Sequence, residues 1–192
     1  EFQVKDADSG VDAGTIAVTV DGTAVSTVTK TAIDGGYKCT CTSPTLKDGS
    51  HTISVKASDN DGNAAAAKTA TFTVDTVPPT LQITAPSNDL VTNKKTVTIT
   101  GKTDDVTSKP VTVTVNGTTV TVGTDGTFTK DVTLAEGANT ITIVAKDKAG
   151  KTTTVTRKAT VDTSAPVIKS ITLTPNPVDC GKTFIIAVEI TD

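Results

Sequence analysis

From Thr80 to Val161, apolar and polar residues alternate in runs of about five to eleven residues, separated by stretches that carry Gly, Asn, Asp or Pro. Alternation with a period of two puts successive side chains on opposite faces, so each run is expected to be a strand. The strands expected are Thr80–Thr84, Thr96–Gly101, Val111–Val115, Thr118–Val122, Thr127–Leu134, Asn139–Lys146 and Lys151–Val161. Asn116-Gly117 predicts a two-residue type I′ hairpin, because both of its central positions need positive φ. Asp125-Gly126 and the segment Ala135-Glu136-Gly137-Ala138 supply the next two turns. Seven short strands about ten residues apart predict an all-β, two-layered sandwich.

The chain also repeats itself, which is the strongest organisational signal in it. Val74-Asp75-Thr76 recurs as Val161-Asp162-Thr163, each followed by proline within three residues. The twelve residues ending at Asp75 align without a gap on the twelve ending at Asp162. Upstream, Ala57, Asp59 and Gly62 fall on Ala145, Asp147 and Gly150, and Asp34-Gly35-Gly36-Tyr37 falls on Asp125-Gly126-Thr127-Phe128. Val20-Asp21-Gly22 falls on Val115-Asn116-Gly117. Four alanines at 64 to 67 favour helix by propensity, but they align with Lys151 and three threonines, which favours the closing strand. The expected organisation is a module at residues 1–76 that lacks its opening strand, a complete module at 77–163, and the first strands of a further module at 164–192. On this reading the chain is a window on a longer array.

Composition narrows the class further. Thr (43) and Val (24) make up about a third of the 192 residues, while Leu occurs five times and Met and Trp are absent, which excludes an all-helical protein. A net charge of -3, with no basic stripe, argues against nucleic acid as a partner. There is no run of eighteen apolar residues, so no membrane insertion is expected in this segment. Three cysteines cannot all pair within one chain, and Cys39 and Cys41 sit two apart in a strand-like run, so they are expected to be small buried residues.

The VDTxxP junctions, the DG-(Y/F) entry to the fifth strand, and the (D/E)G-x-(H/N)-T-I segment followed by A-x-D-x-x-G resemble the bacterial immunoglobulin-like (Big-type) domains. Here the third of these reads Asp48-Gly49-Ser50-His51-Thr52-Ile53 and Glu136-Gly137-Ala138-Asn139-Thr140-Ile141. The resemblance covers almost the whole chain. The stretch 171–184 resembles a sister subtype. The resemblance implies tandem seven-stranded immunoglobulin-like β-sandwiches of the kind found on secreted and cell-surface proteins and in some phage tail and virion proteins. It is specific for fold and weak for function, because such modules serve as stalks, adhesin segments and accessory domains.

No constellation in the chain demands catalysis, and no catalytic, cofactor-binding or metal-binding residue is assigned from sequence. His51 is the only histidine and its repeat equivalent is Asn139, so a role in general-base chemistry would not belong to the module. Asp104-Asp105 and the Asp6, Asp8, Asp12 group are explained by turn chemistry. Asp59-Asn60-Asp61-Gly62-Asn63 is an acidic loop of the kind hard cations use, but Ala57 and Lys68 occupy the ends of an EF-hand register, and the second copy carries Lys148. A turn is the better account of both loops. Calcium at a module junction, held by Asp75 or Asp162 with neighbouring acidic loops, is the one cofactor the sequence raises.

Phe128 is the sole aromatic residue of the complete module and aligns with Tyr37, which suggests core rather than a sugar-binding platform. An Asn116-Gly117-Thr118 sequon coincides with the hairpin and is explained by it. No asparagine lies in 151–161, which argues against a Lys-Asn crosslink there.

The expected function is a non-enzymatic structural spacer of an extracellular bacterial surface protein or adhesin, with modules stacked into a stiff rod by the proline-led junctions. The alternatives are a phage tail or virion module contacting a host surface, and an accessory domain of a secreted carbohydrate-active enzyme or protease. Expected partners are neighbouring immunoglobulin-like modules, a host-surface or cell-wall ligand, and a second copy joined head to tail by residues 164–192 completing residues 1–76.

Overall fold

The computed structural model describes residues 1–192 with the exception of Ser43, Pro175, Val178 and Asp192. Two of these interrupt the 171–184 stretch, and Asp192 ends the segment expected as the last strand, so those positions lie outside the described residues. Every regular element among the described residues is a strand.

The first copy of the repeat supplies β1 (Phe2–Lys5), β2 (Val11–Val20), β3 (Thr23–Ala24), β4 (Val28–Ile33), β5 (Gly36–Cys41), β6 (Gly49–Asp59) and β7 (Lys68–Val74). They form two sheets, β1-β5-β4 and β3-β2-β6-β7, the two-layer arrangement of a sandwich. Val11, Ile16, Cys39 and Ala57 are buried together, and Phe2, Val4, Val28 and Tyr37 pack against them. The four alanines are not helical. Ala64 makes an isolated bridge to Ser58, and the closing strand begins only at Lys68, later than the repeat alignment implies.

The second copy supplies β8 (Thr80–Ala85), β9 (Leu90–Thr92), β10 (Thr96–Asp104), β11 (Thr112–Val115), β12 (Thr118–Val120), β13 (Thr127–Thr133), β14 (Gly137–Lys146) and β15 (Thr152–Val161). Its sheets run β13-β10-β8 and β12-β11-β14-β15-β9. All seven expected strands are present, and β9 is an eighth, paired parallel to β15 with Val91 opposite Thr160. The inward faces alternate as the pattern requires: Val97, Ile99, Gly101 and Thr103 are buried in β10, and Ile141, Ile143 and Ala145 in β14. Gly101 sits opposite Phe128, and a Cβ there would lie 2.6 Å from the Phe128 ring and from the Gln82 carbonyl. The absence of a side chain at 101 therefore makes room for the buried aromatic ring.

Beyond these, β16 (Val167–Thr174) and β17 (Ile185–Thr191) pair antiparallel, with a register shift between Ile168 and Ser170. Their apolar side chains, among them Ile168, Ile171, Ile185 and Ile190, are exposed within this chain.

The chain divides into two compact units. One comprises residues 1–81, 103–113 and 144–153, and the other comprises 82–102, 114–143 and 154–192. Asp75, Asp105 and Asp147 all lie in the first unit.

Candidate functional site

The repeated motifs turn out to be one hydrogen-bonding device used twice. Asn116 and Gly117 have φ of 47° and 79°, and Asp21 and Gly22 have 50° and 80°, so both copies make the type I′ hairpin that the sequence demands. The first hairpin residue then braces the neighbouring strand. Asp21 Oδ1 accepts from the Thr52 amide at 2.8 Å, and Asn116 Oδ1 accepts from the Thr142 amide at 2.8 Å. The sequon asparagine is thus engaged through its oxygen.

The (D/E)G-x-(H/N) segment has the same economy. His51 Nε2 lies 2.8 Å from the Lys47 carbonyl, and Asn139 Nδ2 donates to the Ala135 carbonyl at 2.8 Å, in each case four residues back. The preceding acid clamps the junction. Asp48 accepts from the amide and hydroxyl of Thr76 at 3.0 Å, and Glu136 accepts from the amide and hydroxyl of Thr163 at 2.7 Å. Within VDT itself, Asp75 Oδ1 accepts from the Val77 amide at 3.1 Å and Asp162 Oδ1 from the Ser164 amide at 3.0 Å. Thr supplies two donors to the clamp, Asp turns the chain, and the proline that follows cannot extend the strand ladder.

His51 is a structural residue in this arrangement. Its Nδ1 is 2.6 Å from Asp21 Oδ2, and its ring centroid is 5.6 Å from that of Phe72. The hydrogen bond with Asp21 holds the imidazole above its ordinary pKa, with the Lys47 carbonyl adding to the effect. The same bond, followed by the Thr52 amide, holds Asp21 below the ordinary carboxylate range. Glu136 is lowered likewise, first by the Thr163 amide and then by its hydroxyl.

The A-x-D-x-x-G turns match in backbone and differ in chemistry. Asp59 Oδ1 accepts from the Asn63 amide at 2.7 Å, and Asp147 Oδ1 accepts from the Lys151 amide at 2.8 Å. In the first copy the second oxygen is also used, because Asn63 Nδ2 donates to Asp59 Oδ2 at 2.7 Å. Lys151 replaces Asn63 in the second copy, and Asp147 Oδ2 is buried without a hydrogen-bond partner. Asp75 Oδ2 is in the same condition.

These two carboxylates converge with a third. Asp75, Asp105 and Asp147 each offer an oxygen, and the three oxygens lie within 4.8 Å of one another. Asp105, expected to be a turn residue, does make a turn: its Oδ1 accepts from the Thr107 amide at 2.8 Å and the Ser108 amide at 2.6 Å. Its neighbour Asp104 pairs instead with Lys109 at 2.7 Å. Of the acids considered in the sequence, Asp6 and Asp12 cap their own turns, accepting from the amides of Gly10 and Gly14 at 2.8 Å. The sequence assigns Asp105 and Asp147 to turns alone; the signal that distinguishes Asp147 is the loss of the asparagine that, in the first copy, occupies the second oxygen of Asp59.

The remaining candidates resolve simply. Phe128 is a core residue, 3% exposed, and Tyr37 packs on the first copy's core. Cys39 is fully buried, and burial pushes its thiol pKa up, away from reactivity at neutral pH. Cys41 is only partly buried and Cys180 is exposed, so the expectation of two buried cysteines holds for the first alone. Among the described residues, no helix is long and apolar enough to cross a membrane.

Residues 1–76 match the family described as bacterial Ig-like domain, and residues 79–163 match glucodextranase, domain B. Over 143 residues, 74% of this chain, the sequence is 32% identical to bacillopeptidase F of Bacillus subtilis (strain 168). The matched stretch spans 10% of that protein's length. Among solved structures, the fibronectin(III)-like modules of Clostridium thermocellum CbhA align with 83% of this chain and 82% of theirs at 19% identity and a TM-score of 0.46. The tetra-tandem repeat in the extending region of a large adhesion protein aligns with 97% of this chain and 56% of that one at 20% identity and a TM-score of 0.39. The family matches fall on the two copies of the repeat, the bacterial Ig-like one on residues 1–76, and each copy forms a pair of antiparallel-rich sheets, so the chain is a tandem of immunoglobulin-like β-sandwiches.

Proposed function

We propose that this chain is a non-enzymatic spacer segment of an extracellular bacterial protein, in which successive modules hold other parts of the protein at a set separation. The observation that carries this reading is the junction. The same clamp, an acid accepting two hydrogen bonds from the VDT threonine, recurs after both copies, which is what a repeat needs if every join is to have the same geometry. The hydrogen bonds of His51, the single histidine of the chain, serve the loop rather than a reaction.

A second reading, a non-catalytic segment within a larger hydrolase, is favoured by the likeness to bacillopeptidase F and to glucodextranase domain B, both named as enzymes. The two readings agree on what this chain does and differ in what it is joined to. The complete gene distinguishes them by the presence or absence of a catalytic domain.

A spacer must bear load, so pulling on the chain by its ends tests the proposal. The second copy, 79–163, is expected to open in one cooperative event to an extended length of roughly 300 Å at ~3.5 Å per residue. Gradual extension with no discrete event contradicts a load-bearing role.

A further inference from the structure

We propose that the hairpin of β16 and β17 in one chain completes the first copy of the repeat in another chain, with β16 lying along the free edge of β1 and over β7, so that chains associate head to tail. The inference concerns a partner and stands apart from the spacer reading, which holds whether or not chains associate.

The second copy shows what belongs in that place. There β8 hydrogen-bonds to β10 at the margin of the sheet, and β10 in turn to β13. Gly101 of β10 sits opposite Phe128, and Val4 of β1 sits opposite Tyr37, which aligns with Phe128. β1 is therefore the counterpart of β10, and in the sheet β1-β5-β4 its far edge carries no strand among the described residues. Such an edge presents a row of backbone groups able to pair with an added strand.

The closing strand shows the same opening from beneath. Val155, Arg157 and Ala159 of β15 are partly or wholly buried. This face reaches up to β8, because Arg157 Nε and Nη2 donate to the carbonyls of Pro86 and Ile83 at 3.2 Å. The aligned residues of β7 are Lys68, Ala70 and Phe72. Alternation turns them toward the same side of their sheet, yet all three are exposed.

The sequence and register of β16 fit the opening. Alignment of Val161-Asp162-Thr163 with Val74-Asp75-Thr76 makes β16 the counterpart of β8. The register shift between Ile168 and Ser170 takes up one extra residue, so Ile168, Ile171 and Leu173 fall at the positions of Leu81, Ile83 and Ala85, the inward face of β8. Opposite them in β17 stand Ile190, Val188 and Ile186, which makes one face of the hairpin wholly aliphatic. The other face carries Ser170, Thr172 and Glu189. The six aliphatic side chains are between 42% and 60% exposed.

A contiguous apolar face of this kind marks an interaction site. Strand addition to a sheet edge supplies main-chain hydrogen bonds for affinity and alternate side chains for specificity. β17 stays paired to β16, so docking extends the acceptor's sheet by two strands. Because donor and acceptor surfaces differ, the association is heterologous and open-ended.

Sedimentation of the 192-residue chain from about 10 µM to about 1 mM tests the proposal. The weight-average mass is expected to rise with concentration past that of two chains. Ile171→Lys places a charge on the donor face, and Ala70→Asp places one on the acceptor. Both positions are exposed in the single chain, so neither change should lower its melting temperature appreciably. Each variant alone is expected to associate about tenfold or more weakly than the parent. Mixed one to one, the two are expected to recover association and to stop at pairs, because the Ala70→Asp chain keeps an intact β16 and the Ile171→Lys chain keeps an intact acceptor edge.

The proposal is overturned if the parent stays a monomer at about 1 mM. It is overturned equally if the Ala70→Asp chain associates as the parent does, which would mean that the hairpins meet face to face, or if the mixture fails to recover association.

Discussion

The two copies of the repeat use the same turns and the same strand order around their central strands, yet they bury their apolar residues to different depths. In the second copy, β8 pairs with β10 on one sheet, and β9 pairs with β15 on the other. With both strands in place, Ile99, Val113, Ile141, Ile143 and Val161 are fully buried, and β15 alternates in burial along most of its length. In the first copy, β1 is an edge strand, β4 sits on the far side of β5, and six of the seven residues of β7 are exposed. Among its described residues, Cys39 and Val18 are the most deeply buried of the apolar side chains, at 0% and 2% exposed. Alternation therefore sets which side chains face inward, while the strands at the sheet margins decide how completely water is excluded from them.

A matched pair of core truncations should show the largest effect of this difference. Ile141 is fully buried, and its counterpart Ile53 is only partly so. Ile141→Ala is expected to destabilise by ~2–5 kcal/mol, and Ile53→Ala by about half as much, because less apolar surface is returned to water. Urea unfolding of the two variants measures both values. Equal losses would mean that the marginal strands do not control core burial.

A smaller effect separates the copies by pH. Where the first copy has the ionisable pair His51 and Asp21, the second has two amides, Asn139 and Asn116. The folded pKa of His51 is raised, so its contribution is fully present below its unfolded value of about 6.5 and is lost as pH rises through the higher folded value. The folded pKa of Asp21 is lowered, so its contribution is present above about 3.9 and is lost as pH falls through the lower folded value. The first copy is expected to melt at progressively lower temperature as pH rises above about 6.5 through the higher folded value, and His51→Asn is expected to flatten that slope. Melting followed across that range checks it, and a slope unchanged in the variant would remove His51 as its source.

Much of the fold was legible because turn chemistry and alternation are local. Thr127–Leu134 was expected and Thr127–Thr133 is found; Asn116-Gly117 demanded a type I′ hairpin and makes one. The eighth strand was not legible, since Leu90–Thr92 is three residues long and exists through its parallel pairing with Ala159–Val161, nearly seventy residues away. The alanine run was read through its alignment with threonines, which excluded helix correctly but started the strand four residues early. For the site, the sequence raises junction calcium at Asp75 or Asp162 without assigning a metal ligand, and reads Asp105 and Asp147 as turn residues. That assignment is true of one oxygen in each. What becomes of the other oxygen depends on which segments fold over it, and an aspartate that caps a turn has a second oxygen left to face its surroundings.

The central claim is that the VDT junction is a fixed structural element. The Thr76 amide donates to Asp48 and the Val77 amide to Asp75, so both should be as ordered as the strands they follow. The most direct measurement is backbone ¹⁵N relaxation at these two amides. The account predicts order parameters near ~0.85, equal to those of β6 and β7. Values below ~0.6 at Thr76 and Val77, with the strands remaining rigid, would contradict it.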